Sequence, residues 1–125
     1  MSFIAKLFGR SGKCFKIPGE QIKRLISGVG GCLATDHILV DGKKVGFMYR
    51  EESKFEGDSG WRFFSGEESQ AYTDDAKHTG IYDVNTVANY DSAIIPYLDA
   101  EKGSAFGRVR GTDRFEKETL TRRDD

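Results

Sequence analysis

At 125 residues the chain falls within the usual size of one domain, long enough to bury a hydrophobic core and too short for two large ones. Its composition, 38% hydrophobic and 31% charged with nine Phe and five Tyr supplying much of the bulk, describes a polar globule. A formal net charge of −1 excludes a general nucleic-acid binder, which needs a basic excess to displace counterions from phosphates, and no apolar run is long enough to span a bilayer.

The first segment, residues 1–17, places Phe3, Ile4, Leu7 and Phe8 at helical spacing among the basic Lys6, Arg10, Lys13 and Lys16. Gly9 and Gly12 interrupt it, so it reads as a basic N-terminal segment that docks on the domain or stays disordered, not as a membrane-surface helix. It lacks the apolar run of a signal peptide, which predicts a cytoplasmic protein and free thiols at Cys14 and Cys32.

Pro18-Gly19-Glu20 opens a predicted helix with Ile22, Leu25 and Ile26 on one face and Lys23 and Arg24 opposite, ended by Gly28. The small residues of Val29–Thr35 allow close packing. Gly30-Gly31 lacks the Lys and Ser/Thr that follow the glycines of a phosphate-binding loop. Asp36–Val40, the dipeptide Asp41-Gly42 and Lys43–Arg50 predict a β-hairpin with Val45, Phe47 and Tyr49 on one face. After a polar loop, Gly60 and Gly66 bracket an aromatic strand, completing a three-stranded meander. On that strand Trp61 and Phe63 share one face and Arg62 and Phe64 the other, so both faces are at least partly covered. Trp61 there is either a core residue or, with Arg62, the centre of a binding platform.

Glu67–Gly80 reads as a polar linker or short helix around Ser69–Tyr72; Asp74, Asp75 and His78 lie close in sequence but lack the further ligands a divalent ion requires. Asp83 or Asn85 caps a helical turn with Val84, Val87 and Ala88 inward. Asp91 caps another that Pro96 keeps short. Gly103–Arg110 is the predicted last strand, and the polar residues after Gly111 predict a weak helix at most and a frayed tail. The expected fold is α+β: a small antiparallel sheet, a meander plus a C-terminal strand, with short helices packed on it. Residues 18–111 form its single domain, between the N-terminal segment 1–17 and a polar tail, 112–125.

No arrangement of residues points to catalysis. Cys32 and His37 could form a dyad, but a buried structural thiol is the ordinary role of such a cysteine. The cysteines and histidines do not occur in the close pairs of structural zinc sites, and the acidic pairs Glu51/Glu52, Glu67/Glu68 and Asp74/Asp75 read as solvated loop charges. The expectation is a protein that is not an enzyme, with no catalytic residue, no metal and no cofactor.

Gly30–Ile38, Gly46–Glu51, Asp58–Gly66 and Tyr82–Thr86 together resemble the bacterial DUF2185 family, described also as the Imm33-like immunity protein domain. The resemblance spans residues 28 to 110, and its more specific parts are Gly60-Trp61-Arg62-Phe63 and Tyr82-Asp83-Val84-Asn85-Thr86. It implies an α+β domain that, in some members, is proposed to neutralise a polymorphic toxin by binding it. The implied partner is a protein toxin, with neither nucleic acid nor membrane involved; the oligomeric state is left open. Interfaces favour aromatic and Arg anchors within polar rims, so the expected binding residues are Trp61, Arg62, Glu67, Glu68, Asp83 and Asn85. The alternatives are a small ligand-binding domain or enzyme with its site near Trp61 and Asp83, and a housekeeping domain of other function.

Overall fold

The computed structural model describes residues 12–119. Its strands are β1 (Gly31–Thr35), β2 (Phe47–Arg50), β3 (Asp58–Phe64), β4 (Thr79–Asp83), β5 (Ala105–Arg108) and β6 (Phe115–Lys117). Its helices are α1 (Asp36–Leu39), α2 (Gln70–Asp74) and α3 (Val84–Tyr90), with 3-10 turns at Gly19–Gln21, Ala76–His78 and Ser92–Tyr97. The strands form one sheet in the order β4-β1-β3-β2-β5-β6. The fold is α+β, and the sheet is mixed: β1 and β3 run parallel, and every other neighbouring pair runs antiparallel.

β3 is central, and its alternation sets the two sides of the sheet. Trp61 and Phe63 point with Cys32, Ala34, Met48 and Phe106 toward α1, α3 and the Ser92–Tyr97 turn, where Ile38, Leu39, Val84, Val87, Ala88 and Ile94 complete the core. Each large side chain removed from water there contributes about 1.5–3 kcal/mol. The indole Nε1–H of Trp61 donates to the Leu98 carbonyl at 3.1 Å, so its one polar atom is satisfied. Gly60, at φ +91°, sits where a Cβ would collide with the Glu51 carbonyl; only glycine lets β3 and the end of β2 approach so closely.

The predicted hairpin through Asp41-Gly42 does not form. Asp36–Leu39 is a helical turn, and Gly42, at φ +76°, closes it by donating its N–H to the Ile38 carbonyl. The Asp-Gly pair that resembles a hairpin turn is a helix stop. The strand entering the sheet is instead β1, in the small-residue run before it; Cys32 and Ala34 face the core, and Gly31 allows close packing against the Phe55 ring.

The predicted helix after Pro18 is also absent beyond the Gly19–Gln21 turn. Two asparagines on α3 take up its backbone instead. Asn85 Oδ1 accepts from the N–H groups of Leu25 (2.8 Å) and Ile26 (3.1 Å), and its Nδ2 donates to the Lys23 carbonyl (2.8 Å). Asn89 accepts from the Lys23 N–H and donates to its carbonyl. The side-chain amides replace the internal ladder of a helix, and Ile22 and Ile26 still reach the core.

The turns at Asp83 and Asp91 are as the sequence predicts: Asp83 caps α3 through the Asn85 N–H, and Asp91 caps the Ser92–Tyr97 turn through the Ala93 N–H. Asp91 is buried and paired with Arg108, whose Nε also donates to the Val45 carbonyl. Past the predicted last strand, Phe115–Lys117 adds β6 in place of a weak helix, held by Phe115 against the Tyr97 ring at 5.2 Å. Cys14 and Cys32 are free thiols. The helical spacing at Phe3–Phe8 and the end of the tail lie outside the described residues.

Candidate functional site

The second side of the sheet carries no covering α1 or α3. By register it receives Leu33 and Thr35 from β1, Phe47 and Tyr49 from β2, Arg62 and Phe64 from β3, Ile81 from β4, Gly107 from β5 and Glu116 from β6. Phe47, Tyr49 and Phe64 form an aromatic cluster with ring centroids 5.9–6.0 Å apart, Tyr49 and Phe64 stacked at 12°. All three are half-buried, and Ile81 is 62% exposed. Thr73 of α2 reaches the edge of this face, and the half-buried aromatics it leaves at the surface have the composition of an interface core.

Beside the cluster, the Arg62 side chain is nearly sealed from water, at 2% exposure. Its fork meets Asp58, itself 0% exposed, at 2.7 and 3.0 Å, and its Nε meets Glu51 Oε2 at 2.6 Å. Asp58 also accepts from the N–H groups of Lys54 and Gly60. The Arg62 bond, opposed by burial, holds the Asp58 carboxyl down at about 2. Burial disfavours the charged Arg62, but its two carboxylate partners more than offset that, and its pKa rises. With one cation and two carboxylates the group carries a net charge of −1, and Glu51 is 34% exposed. Burial, then the Glu51 charge, raises the Tyr49 hydroxyl pKa. A shallow cavity of about 200 Å3 lies over this group, lined by Leu33, Tyr49, Glu51, Arg62, Thr73 and Thr79 among others.

At the far end of β1, Glu68 (3% exposed) accepts from the Thr35 hydroxyl at 2.5 Å, the Ser65 N–H at 2.8 Å and the Gly66 N–H at 3.0 Å. Burial raises its pKa, and these bonds outweigh burial to leave it below the ordinary value. His37 Nδ1 lies 2.8 Å from Ser65 Oγ and 3.5 Å from Glu68. Hydroxyl and acid thus address the same ring nitrogen, whereas a nucleophile relay needs them on opposite ones. The group is a lock: it ties the turn after β3 to β1, and Tyr72, stacked on His78 (3.9 Å) and tilted against His37 (4.4 Å), fastens α2.

The residues that sequence reasoning selected do not form one patch. Trp61 lies wholly in the core, Arg62 is buried within its ion pairs, and Asn85 is buried while holding the backbone of Lys23, Leu25 and Ile26. Glu67 is exposed and pairs with Lys43 at 2.7 Å; Glu68 is the buried centre of the lock. Asp83, at the exposed start of α3, stands opposite Gly31, whereas Glu68 bonds Thr35, about 13 Å further along β1. Of the six, Arg62 alone lies beside the aromatic cluster; by register Asp83 shares the Ile81 side of β4 but stands at the end of that strand. Phe47, Tyr49, Glu51, Phe64 and Ile81 were missed, although the alternation of Phe47, Tyr49 and Glu51 already put three of them on one side.

The Cys32–His37 dyad does not form: Cys32 is buried among core side chains, where burial pushes its thiol pKa up and keeps it protonated. Asp75 caps the Ala76–His78 turn through the Lys77 N–H. Among the described residues there is no group of three or more potential metal ligands and no helix long and apolar enough to cross a membrane.

These observations define a small α+β domain: one side of its sheet makes the core, and the other carries half-buried aromatics and carboxylates. The family model described as the Immunity protein Imm33 domain matches residues 32–119, and the chain belongs to that family. The match takes in the sheet from β1 through β6, including the strand that lies beyond the resemblance read from the sequence. No curated protein matches, and no solved structure does.

Proposed function

We propose that this chain is an immunity protein: it binds a protein toxin in the bacterial cytoplasm and blocks it sterically, with no enzymatic step of its own. The observation that carries this reading is the half-buried Phe47–Tyr49–Phe64 cluster on the side of the sheet without α1 and α3. An inhibitor needs complementary surface, and aromatic anchors centred in an interface each contribute about 2 kcal/mol or more to the hot spots that dominate affinity. The ion-paired base beneath fixes these anchors before binding, which lowers the entropic cost of association. Asp83 and Glu67 are exposed enough to act at a rim; Trp61, Glu68 and Asn85 act from beneath by holding the domain together.

The ligand-binding alternative is less well supported, because the cavity over Arg62, about 200 Å3, is smaller than the roughly 300–1,000 Å3 of typical small-molecule sites. The test is co-expression with toxin domains encoded beside this gene. Restored growth and a stable complex are the expected result. Unchanged killing, together with neighbouring genes of metabolism, would remove the immunity reading.

A further inference from the structure

The face proposed above has an unbalanced charge, and this identifies the chemistry of whatever binds it. Arg62 is the only cation that the strands send to this face among the described residues, and Asp58 and Glu51 already engage it from both sides. Glu51 uses one oxygen for Arg62 Nε; its other oxygen makes no hydrogen bond among the described residues. Across the aromatics, Glu116 stands opposite Gly107, which pairs with Phe47, so its side chain points to the same side. Glu118 bends over Gly107, filling the space where any side chain there would stand. Neither Glu116 nor Glu118 has an ion-pair partner among the described residues.

The aromatic cluster therefore lies between carboxylates on both flanks: Glu51 on one, Glu116 and Glu118 on the other. The other basic residues of these strands, Arg50, Arg108 and Lys117, point by register to the opposite side of the sheet. We propose that the partner is a basic protein whose Arg and Lys side chains dock on this face, one guanidinium lying against the ring of Tyr49 and pairing with the free oxygen of Glu51. This inference rests on the immunity reading for the partner's role but stands on its own charges and rings. Guanidinium suits the place because it stacks on an aromatic face and forks to a carboxylate, and because Arg62 is neutralised by Asp58 and so repels it little. Like-charged flanks would also steer a basic surface inward and reject an acidic one.

The test uses the full chain and two defined probes, a peptide of alternating arginine and glycine and its glutamate counterpart, followed by amide chemical shifts. The arginine peptide is expected to shift Phe47, Tyr49 and Phe64, with affinity that falls as salt approaches ~0.15 M, and the glutamate peptide to leave them unmoved. E51Q/E116Q/E118Q should weaken the arginine peptide about tenfold, as expected from three exposed pairs. Because E51Q touches the Arg62 group, E116Q/E118Q is measured beside it and should weaken binding by about two-thirds of that effect on a logarithmic scale. Shifts located elsewhere, equal binding of the glutamate peptide or undiminished affinity in both variants would overturn the proposal. Growth protection separates the two readings. If F47S/F64S abolishes protection while E51Q/E116Q/E118Q protects fully, the cationic partner is wrong and the immunity role stands. If the parent does not protect, the role is wrong and the peptide shifts still decide the charge.

Discussion

On β3 successive residues enter opposite environments, and both sides end up buried by different means. Trp61 and Phe63 are covered by α1, α3 and the Ser92–Tyr97 turn, so packing excludes water. Arg62, one residue away, has no such layer above it; Asp58 and Glu51 bury it by occupying its donors. Hydrophobic cover hides a side completely, whereas ion-pair cover leaves the neighbouring aromatics at the surface with their positions fixed. A protein that must present a rigid apolar patch and still fold alone can make one side of its sheet by each method.

The comparison breaks most severely at the covered side. Trp61→Ala removes a sealed indole and a satisfied N–H and should cost about 3–5 kcal/mol, read as a lowered urea midpoint with little change in slope. On the other side, Arg62→Leu leaves Asp58 as a buried carboxylate without its cation, a loss of about 3 kcal/mol by the same measurement. Adding Asp58→Asn should recover part of that loss, because a neutral amide replaces the unpaired buried charge. No recovery would mean that Arg62 acts through packing of its stem, and the contrast between the two sides would disappear.

Acid sharpens the same contrast. The Asp58 carboxyl is held at about 2 against an ordinary 3.8, so its contribution is complete above 3.8 and lost as pH falls through about 2. The shift corresponds to about 2 kcal/mol. Glu68, also held below its ordinary value, adds a loss of the same sign. In Arg62→Leu the Asp58 share of this slope should vanish or reverse, because protonation then relieves an unpaired buried carboxylate. A variant with the parent's full acid slope would show that the buried pair does not govern it.

The alternation around Trp61, the caps at Asp83 and Asp91 and the α+β class were legible because each depends on neighbours in sequence. What could not be read depends on partners far along the chain. Asp36–Val40 looks like a strand until Gly42 is seen returning a hydrogen bond to Ile38, and Ile22–Ile26 has helical spacing that Asn85 and Asn89 override from about 60 residues away. The candidate site suffered from the same distance. Arg62 was recognised, and its place on the face opposite Trp61 was legible from the alternation, but its pairing with Asp58 and Glu51 was not.

Asn85→Ala tests that override directly. Leu25 and Ile26 lose the acceptor of their amides, and Lys23 loses a donor to its carbonyl; because the segment is half-exposed, water replaces part of the bonding. The expected cost is about 1–2 kcal/mol, with faster hydrogen exchange at Leu25 and Ile26 and unchanged exchange in β3. If β3 amides speed up equally, the segment is an integral part of the core.

The smallest effect on stability should be the most informative about function. Ile81 is the most exposed large apolar side chain of the open face, paired across the ladder with Leu33. It is already in water in the free protein, so Ile81→Ser removes little that folding had gained, and the unfolding free energy should stay within about 0.5 kcal/mol of the parent. A half-buried anchor such as Phe64 offers no such separation, because it also packs on Phe47 and Tyr49. In a complex, an apolar side chain at 62% exposure is worth keeping only if a partner covers it, and its loss should appear as faster dissociation. Unchanged stability with weakened protection would place β4 inside the interface and extend it across the sheet from β2 to its edge. Unchanged stability with full protection would confine the contact to the Phe47–Tyr49–Phe64 cluster and the carboxylates beside it.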